Sequence, residues 1–374
     1  MASDEYIATT VHGFEDLAAA EIERAGGRIL HVDEGKVLFR GDSTLPYILN
    51  YGSRTLHRVG LLLLRGEFER LEDIERDVRS LDLSWCIDPS LPFEVRFRRK
   101  GDHDFTSMDA NAAVGRAIME GYEAVKGERL RVNLSEPSVS FRGWIIDNRY
   151  YLSVDLTGRS LHKRSYRVYE HPAPLKSTLA SLLVMWSGWT PDKSLVDPMA
   201  GSGTILVEAA YIGWRYPPNA DRSDFLIKNL PFHDENMDAR VRETLLRRVK
   251  RVPLRILGVE KYPKHVNGCR NVLQKAGVDG YVKCIQGLCE HLHRYVDGVD
   301  YVVTNPPYGL RVASARVVRR LYADFATELK RHFPGTVLVL ITPRTDFEDF
   351  FTPLEKRRVS YGDLTVNAYR FRVE

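Results

Sequence analysis

The sequence predicts an α/β protein whose C-terminal half is a mostly parallel, doubly wound sheet with an antiparallel edge, preceded by two smaller α/β units. Three observations carry this expectation. From about Leu175 onward, short and wholly apolar runs alternate with helix-like segments, the texture of parallel strands buried on both faces. The first sixty-odd residues follow the order βαββαβ, and a second α/β pattern ends in a hairpin across Asp147-Asn148. With 374 residues, the chain is also too long for one comfortable core, so two or three domains are expected.

The elements follow in order. Glu5–Thr10 alternates as a strand, and Phe14–Ala25 has apolar residues at helical spacing before the Gly26-Gly27 stop. Arg28–Val32 and Lys36–Arg40 form a hairpin around Glu34-Gly35, Leu45–Tyr51 a short helix and Thr55–Leu64 a closing strand, together a ferredoxin-like unit. In the second unit, Arg70–Leu81 is helical, Pro92–Arg99 an alternating strand, Asp109–Tyr122 an amphipathic helix, and Ser138–Ile146 with Arg149–Asp155 the hairpin. Gly158–Pro174 is rich in turn formers and basic residues and suits an interdomain connection. The buried strands beyond it are Ser194–Asp197, Arg255–Glu260, Tyr281–Gln286, Asp300–Asn305 and Thr336–Thr342. The last two strands, Arg358–Tyr361 and Thr365–Val373, meet across Gly362-Asp363 as an antiparallel edge pair.

Composition narrows the function class without naming it. Hydrophobic residues make up 44% and charged residues 28%, as in an ordinary soluble globular protein. The net charge of +4 permits a nucleic-acid partner without demanding one. Cys86, Cys269, Cys284 and Cys289 form no CxxC pair and no zinc-ligand spacing, so buried free thiols in a reducing compartment are expected, with no metal. The start lacks a basic region followed by an apolar stretch, and the longest apolar runs, such as Gly60–Leu64, are too short to span a bilayer. A cytoplasmic protein with no membrane contact is expected.

Three segments carry chemistry. In Leu195-Val-Asp-Pro-Met-Ala-Gly-Ser-Gly-Thr204 a strand ends at Asp197, and Gly201 and Gly203 let the backbone approach a ligand where Ile205–Tyr211 begins a helix. No Gly-Lys-Ser/Thr follows, so this is not a phosphate-binding P-loop; an ordinary turn is the plainer alternative. Glu260 ends the next strand, Ile256-Leu-Gly-Val-Glu260, where an acid can accept both ribose hydroxyls of a nucleoside. Asp300-Tyr-Val-Val-Thr-Asn-Pro-Pro-Tyr-Gly309 places Asn305, Pro306 and Tyr308 at the carboxyl end of a buried strand. Two prolines stiffen that loop and leave carbonyls free. The Asn305 side-chain oxygen and the Pro306 carbonyl can both accept from one exocyclic amine, and Tyr308 can stack on the base that bears it.

The chain resembles the class I methyltransferases that act on planar exocyclic amines, for which Asn-Pro-Pro-Tyr at this strand end is characteristic. Within them it looks like the THUMP-domain RNA guanine-N2 methyltransferases. Arg98-Arg-Lys-Gly-Asp-His-Asp-Phe-Thr-Ser107 looks like the central strand and turn of a THUMP domain. Leu161-His-Lys-Arg164 with His171-Pro-Ala-Pro-Leu-Lys176 looks like the family's approach to the catalytic domain, and Glu260-Lys-Tyr-Pro-Lys-His265 is similar to the archaeal enzymes that methylate guanosine at position 6 of the tRNA acceptor stem. The resemblance implies a ferredoxin-like domain at 1–65, a THUMP RNA-binding domain at 66–157, a linker at 158–175 and a Rossmann-like class I methyltransferase domain at 176–374. It implies S-adenosylmethionine as cofactor, held by Asp197, Ala200, Gly201, Ser202, Gly203, Thr204, Glu260, Lys261, Gly287, Leu288 and Asn305. Asn305, Pro306 and Tyr308 are the implied catalytic residues.

Two departures stand out. Family members often carry Gly-Asp-Ala after the third strand, the Asp reaching the cofactor's adenine amine; this chain has Gly287-Leu-Cys289, leaving Glu290 or a backbone carbonyl as substitutes. An insertion of roughly thirty-five residues separates the first helix from the second strand and resembles insertions in bacterial rRNA members. An rRNA substrate therefore stays open beside tRNA, as do a DNA adenine-N6 methyltransferase and a non-catalytic RNA-binding protein. For RNA contact, the candidates are Arg98, Arg99 and Lys100 in the THUMP-like strand and Lys163 and Arg164 at the connection, set to grip phosphates. A monomer that docks the acceptor stem and single-stranded 3′ end of tRNA is the expectation.

Overall fold

The computed structural model describes residues 4–309, 315–362 and 364–374. The first unit runs β1 (Asp4–Thr10), α1 (Glu15–Arg24), β2 (Arg28–Asp33), β3 (Lys36–Gly41), α2 (Leu45–Gly52) and β4 (Leu56–Glu67), in the expected order. The second runs α3 (Leu71–Arg79), β5 (Phe93–Lys100), α4 (Ser107–Lys126), β6 (Val139–Ile146) and β7 (Arg149–Asp155). Alternation sets the face of each strand: in β5, Val95 and Phe97 enter the core while Arg96 and Arg98 face outward. Helix α4 begins earlier than its apolar spacing suggests because Thr106 and Asp109 close a reciprocal cap, the Asp109 carboxylate accepting from the Thr106 N–H at 2.7 Å. It ends on Gly127 in the left-handed conformation, φ +70°.

The two N-terminal units share a single seven-stranded sheet in the order β2-β3-β1-β4-β7-β6-β5. Strand β4 makes the join. Its first part pairs with β1, and Gly60 to Glu67 pair with β7, from Gly60 opposite Asp155 to Glu67 opposite Arg149. The expected boundary at 65/66 therefore falls inside one strand, because the pairing continues beyond the apolar run on which the boundary rested.

The C-terminal half comprises α5 (Ser177–Ser187), β8 (Ser194–Asp197), α6 (Thr204–Trp214), α7 (Glu235–Arg247), β9 (Arg255–Glu260), α8 (Pro263–Lys275), β10 (Val282–Gln286), β11 (Tyr301–Thr304), α9 (Ala315–His332), β12 (Val337–Thr342), β13 (Pro353–Tyr361) and β14 (Leu364–Arg372). Its sheet has the order β10-β9-β8-β11-β12-β14-β13, parallel except for β14, which runs antiparallel to both β12 and β13. Asp363, in the expected connection of that pair, lies outside the described residues. Apolar side chains from α5, α6 and α8 cover one face, and Tyr322, Phe325 and Leu329 of α9 cover the other. All four cysteines are buried and unpaired.

The halves are tightly joined. Phe14 meets Trp186 edge-on at 5.6 Å, and Arg357 lies over both rings while its guanidinium reaches Asp16 at 2.7 Å. A Cβ on Gly13 would come within 2.3 Å of the Arg358 carbonyl, so backbone touches backbone there. The insertion binds the same joint: Phe225, Ile227 and Leu230 complete the N-terminal core, and α7 packs on α2. No described helix is long and apolar enough to cross a membrane.

Candidate active site

The strand order reverses between β8 and β11: β9 and β10 lie on one side of β8, and β11 and β12 on the other. Loops leaving two such neighbours diverge, opening a crevice at the carboxyl ends of the strands. The glycine turn after β8 forms one wall and Asn305–Tyr308 after β11 the other.

Asp197 ends β8 but is enclosed rather than presented to the crevice. Its Oδ1 accepts from the Thr304 hydroxyl at 2.8 Å and from the Met199 N–H at 3.2 Å. Burial pushes its carboxyl up to about 7, against the pull of those two hydrogen bonds. Asp197 thus ties the glycine turn to β11, and its hold on any ligand runs through the shape of the turn. Gly201 and Gly203 adopt φ +53° and +78°. A Cβ on Gly203 would strike Cys269 Sγ at 2.6 Å, whereas one on Gly201 would project towards the His171 imidazole, 3.4 Å away, and narrow the cradle. Ser202 and Thr204 share a hydroxyl contact of 3.2 Å, and the Ala200 N–H donates to the Val259 carbonyl at 3.0 Å.

Glu260 closes the far side of the turn. One carboxylate oxygen accepts from the Gly201 N–H and the other from the Tyr262 N–H, both at 3.0 Å, leaving a lone pair on each for a diol. Lys261 is exposed with its ammonium 5.6 Å over the Tyr262 ring. Gly287 donates to the Glu260 carbonyl at 3.0 Å, and a Cβ there would meet the Tyr295 ring at 2.6 Å. Leu288 is half-buried, its N–H towards the Tyr295 hydroxyl at 3.3 Å, and Glu290 accepts from the Cys289 thiol.

On the opposite wall the Tyr308 hydroxyl donates to Asn305 Oδ1 at 2.7 Å, and Tyr322 of α9 fixes the loop by donating to the Pro307 carbonyl at 2.7 Å. Burial raises the Tyr308 hydroxyl well above the ordinary tyrosine range, so it remains a donor.

The connection at 158–175 contributes more than its turn-rich composition suggests. The Tyr169 hydroxyl bonds His265 Nδ1 at 2.7 Å, His171 lies 4.4 Å from the His265 ring, and Tyr169 lies flat against Gly268. The segment roofs the glycine turn. Sequence reasoning marked His171 and His265 only as motif ends; their pairing across 94 positions left no local signal. Thr304 and Tyr322 were missed for the same reason.

The basic candidates separate. Arg164 is corrected: its side chain is fully enclosed, 3.2 Å from the equally enclosed Glu208, and donates to the Leu161 carbonyl at 2.9 Å. A guanidinium so desolvated holds the joint together and cannot reach a phosphate. Lys163 is exposed. Arg98 is exposed, Arg99 donates to the Gly101 carbonyl, and Lys100 pairs with the exposed Glu34. An exposed pair of that kind competes weakly with a phosphate. Lys176 lies 5.7 Å over the Tyr361 ring and is held below the usual lysine range by burial and the Arg98 charge. Arg98 and Lys176 therefore bring positive charge of the N-terminal sheet up against Tyr361 of the C-terminal one.

Three family models match the chain: an RMKL-like methyltransferase domain over residues 164–366, a THUMP domain over 68–155 and an RlmL ferredoxin-like domain over 5–60. A tRNA (guanine(6)-N2)-methyltransferase of Archaeoglobus fulgidus is 38% identical, with 90% of this chain and 82% of that protein covered. Another protein of that name, from Methanocaldococcus jannaschii, is 33% identical over 98% of this chain and 99% of its own. Among solved structures, a methyltransferase in complex with SAH superposes with a TM-score of 0.89 at 25% identity, covering 100% of this chain and 99% of its own.

Proposed function

Because the chain belongs to the family of RMKL-like methyltransferases that carry a THUMP domain, we propose that it transfers a methyl group from S-adenosylmethionine to the N2 amine of a guanosine in tRNA, at position 6 of the acceptor stem. The observation that carries this is the Asn305–Tyr308 loop facing the glycine turn across the crevice between β8 and β11. The two archaeal relatives support the choice of nucleotide and of tRNA.

The cradle suits the cofactor: glycines with positive φ where a side chain would intrude, a carboxylate on the ribose side and half-buried Leu288 on the base side. Gly201 to Thr204 and Glu260 would hold it, with Leu288 replacing a polar contact to its adenine. When bound, S-adenosylmethionine supplies an electrophilic methyl on a sulfonium. The chain's own work is positioning. The guanine N2 lone pair is delocalised into the ring, so the amine is a poor nucleophile at rest. Hydrogen bonds from it to Asn305 Oδ1 and the Pro306 carbonyl favour a pyramidal nitrogen and aim its lone pair across the crevice. Tyr308 keeps its hydroxyl on Asn305, which locks the acceptor's orientation, and offers its ring to the base. No strong base is required, since the nitrogen becomes acidic as the methyl arrives. A base paired in a stem reaches this pocket only by flipping.

Nucleoside mass spectrometry of unmodified tRNA and rRNA incubated with the protein and S-adenosylmethionine tests the proposal. N2-methylguanosine at the acceptor stem of tRNA is expected. Modification of rRNA alone, or of adenine, would overturn it.

A further inference from the structure

Away from the crevice, His293, Glu328 and His332 converge, with one donor atom from each lying within 4.8 Å of the others. His293 belongs to the short 3-10 turn Cys289–Arg294 that follows β10 and the Gly287-Leu288 loop. Glu328 and His332 are one turn apart on α9 and so share a face. The Glu328 carboxylate is 6% exposed; one oxygen accepts from the His293 N–H at 2.7 Å and lies 2.7 Å from His293 Nδ1, and the other lies 3.8 Å from His332 Nε2. The two imidazoles stack nearly parallel, 4.3 Å apart at 20°, so the part-exposed His332 ring must turn out of the stack for the in-plane lone pairs of both to meet at one point beside the carboxylate. Their side chains are 37% and 31% exposed, which leaves solvent access.

We propose that His293, Glu328 and His332 bind a divalent transition-metal ion of the zinc or cobalt type. Two imidazole nitrogens and one carboxylate oxygen form a borderline donor set, better suited to zinc, cobalt or nickel than to magnesium or calcium. In a tetrahedral site neighbouring donors sit about 3.3 Å apart, so widening the 2.7 Å contact asks for a side-chain adjustment only. In the metal-bound form His293 would carry its proton on Nε2, any proton on Nδ1 passing to solvent, so that the Nδ1 lone pair faces the ion. The His293 N–H fixes the carboxylate in place, the orienting contact that metal ligands use. Three protein donors leave a position for water. The ion would cross-link the turn after β10 to α9, the helix that follows the Asn305–Tyr308 wall in the chain. A second cluster, His233, Glu235 and Asp238, is a poorer site, because the Lys228 ammonium already sits 2.7 Å from an Asp238 oxygen.

The test is calorimetric titration of tag-free full-length protein with zinc chloride, paralleled by cobalt chloride and visible absorption. One equivalent is expected at neutral pH, with a dissociation constant on the order of a micromolar or tighter. His332→Ala, a change at a part-exposed position, should weaken binding about tenfold or more, as should Glu328→Gln. His233→Ala should leave it unchanged, and SAH affinity should persist in His332→Ala, showing an intact fold. Absence of saturable binding by either ion, or wild-type binding by folded His332→Ala, overturns the proposal. Loss in His233→Ala would do the same.

Discussion

At the scale of single residues, the crevice depends on polar atoms placed to the ångström and on two glycines that no other residue can replace cheaply. Replacing Asn305 by alanine removes an acceptor that the folded loop already holds oriented through Tyr308. Turnover should fall about a hundredfold or more, the scale of losing a positioned polar contact at the reacting atom, with SAH and tRNA affinities nearly intact. Single-turnover kinetics beside calorimetry check it, and near-normal turnover would place the amine elsewhere. Gly201→Val puts a β-branched residue at φ +53° and fills the space in front of His171. SAH binding should drop below detection in a protein whose circular dichroism is unchanged; retained binding would remove the glycine turn from the cofactor site. Much of this scale was legible in the sequence, because strand ends, glycines and Asn-Pro-Pro-Tyr are contiguous. Arg164 was not, since a basic run looks alike whether its members face water or, as here, a buried glutamate.

The elements show where local pattern runs out. Strand and helix order follow from periodicity, but β4 had to be read as a strand of two partners, and nothing in its own residues says that β7 pairs beside β1. The roof at 158–175 was similarly hidden: its turn formers signal irregular backbone, not the elements it covers. Gly268 in α8 tests that roof. Alanine is worth about 1 kcal/mol more than glycine within a helix, so a free-standing α8 would gain stability from Gly268→Ala. The added Cβ would instead come within 2.4 Å of the Tyr169 ring. A lower melting temperature and several-fold weaker SAH binding are expected. A stabilised variant with unchanged SAH affinity would show that Tyr169 is not a structural part of the cradle.

For the whole molecule, the outer sheet and the crevice are fixed relative to each other by Phe14, Trp186, Arg357 and the insertion. Phosphate contacts set register without reading sequence, so the modified nucleotide would be chosen by the span from docking surface to pocket. Neutralising Arg98, Arg99 and Lys100 together should weaken tRNA binding and flatten its salt dependence, with SAH affinity unchanged. Removing the single-stranded 3′ end of the tRNA should give a similar loss with unmutated protein. Normal binding by the triple variant across a salt titration would point to Lys163 and Lys176 instead. The joint also carries a pH sensitivity. His57, bonded to Thr178 at 3.0 Å, is pushed down to about 3 by burial and by His162, and His162 to about 4 by burial and neighbouring cations. Unfolded imidazoles near 6.5 bind protons that the folded pair refuses. The pair's contribution to stability is therefore full above about pH 6.5 and is lost progressively as pH falls towards 3. In urea melts, His57→Gln with His162→Asn should flatten that slope between pH 6.5 and 4.5; an unaltered slope would acquit the pair.

The shared strand β4 has a consequence for inheritance. The ferredoxin-like match ends at residue 60 and the THUMP match begins at 68, yet β4 occupies Leu56–Glu67 and is hydrogen-bonded on both sides. Cutting the gene there would leave one fragment with half a strand and the other with the bare edge of β7, an invitation to aggregate. Recombination should therefore have transmitted the two modules as one heritable cassette, and a shuffled chimera is viable only if its crossover lies before β1 or after β7.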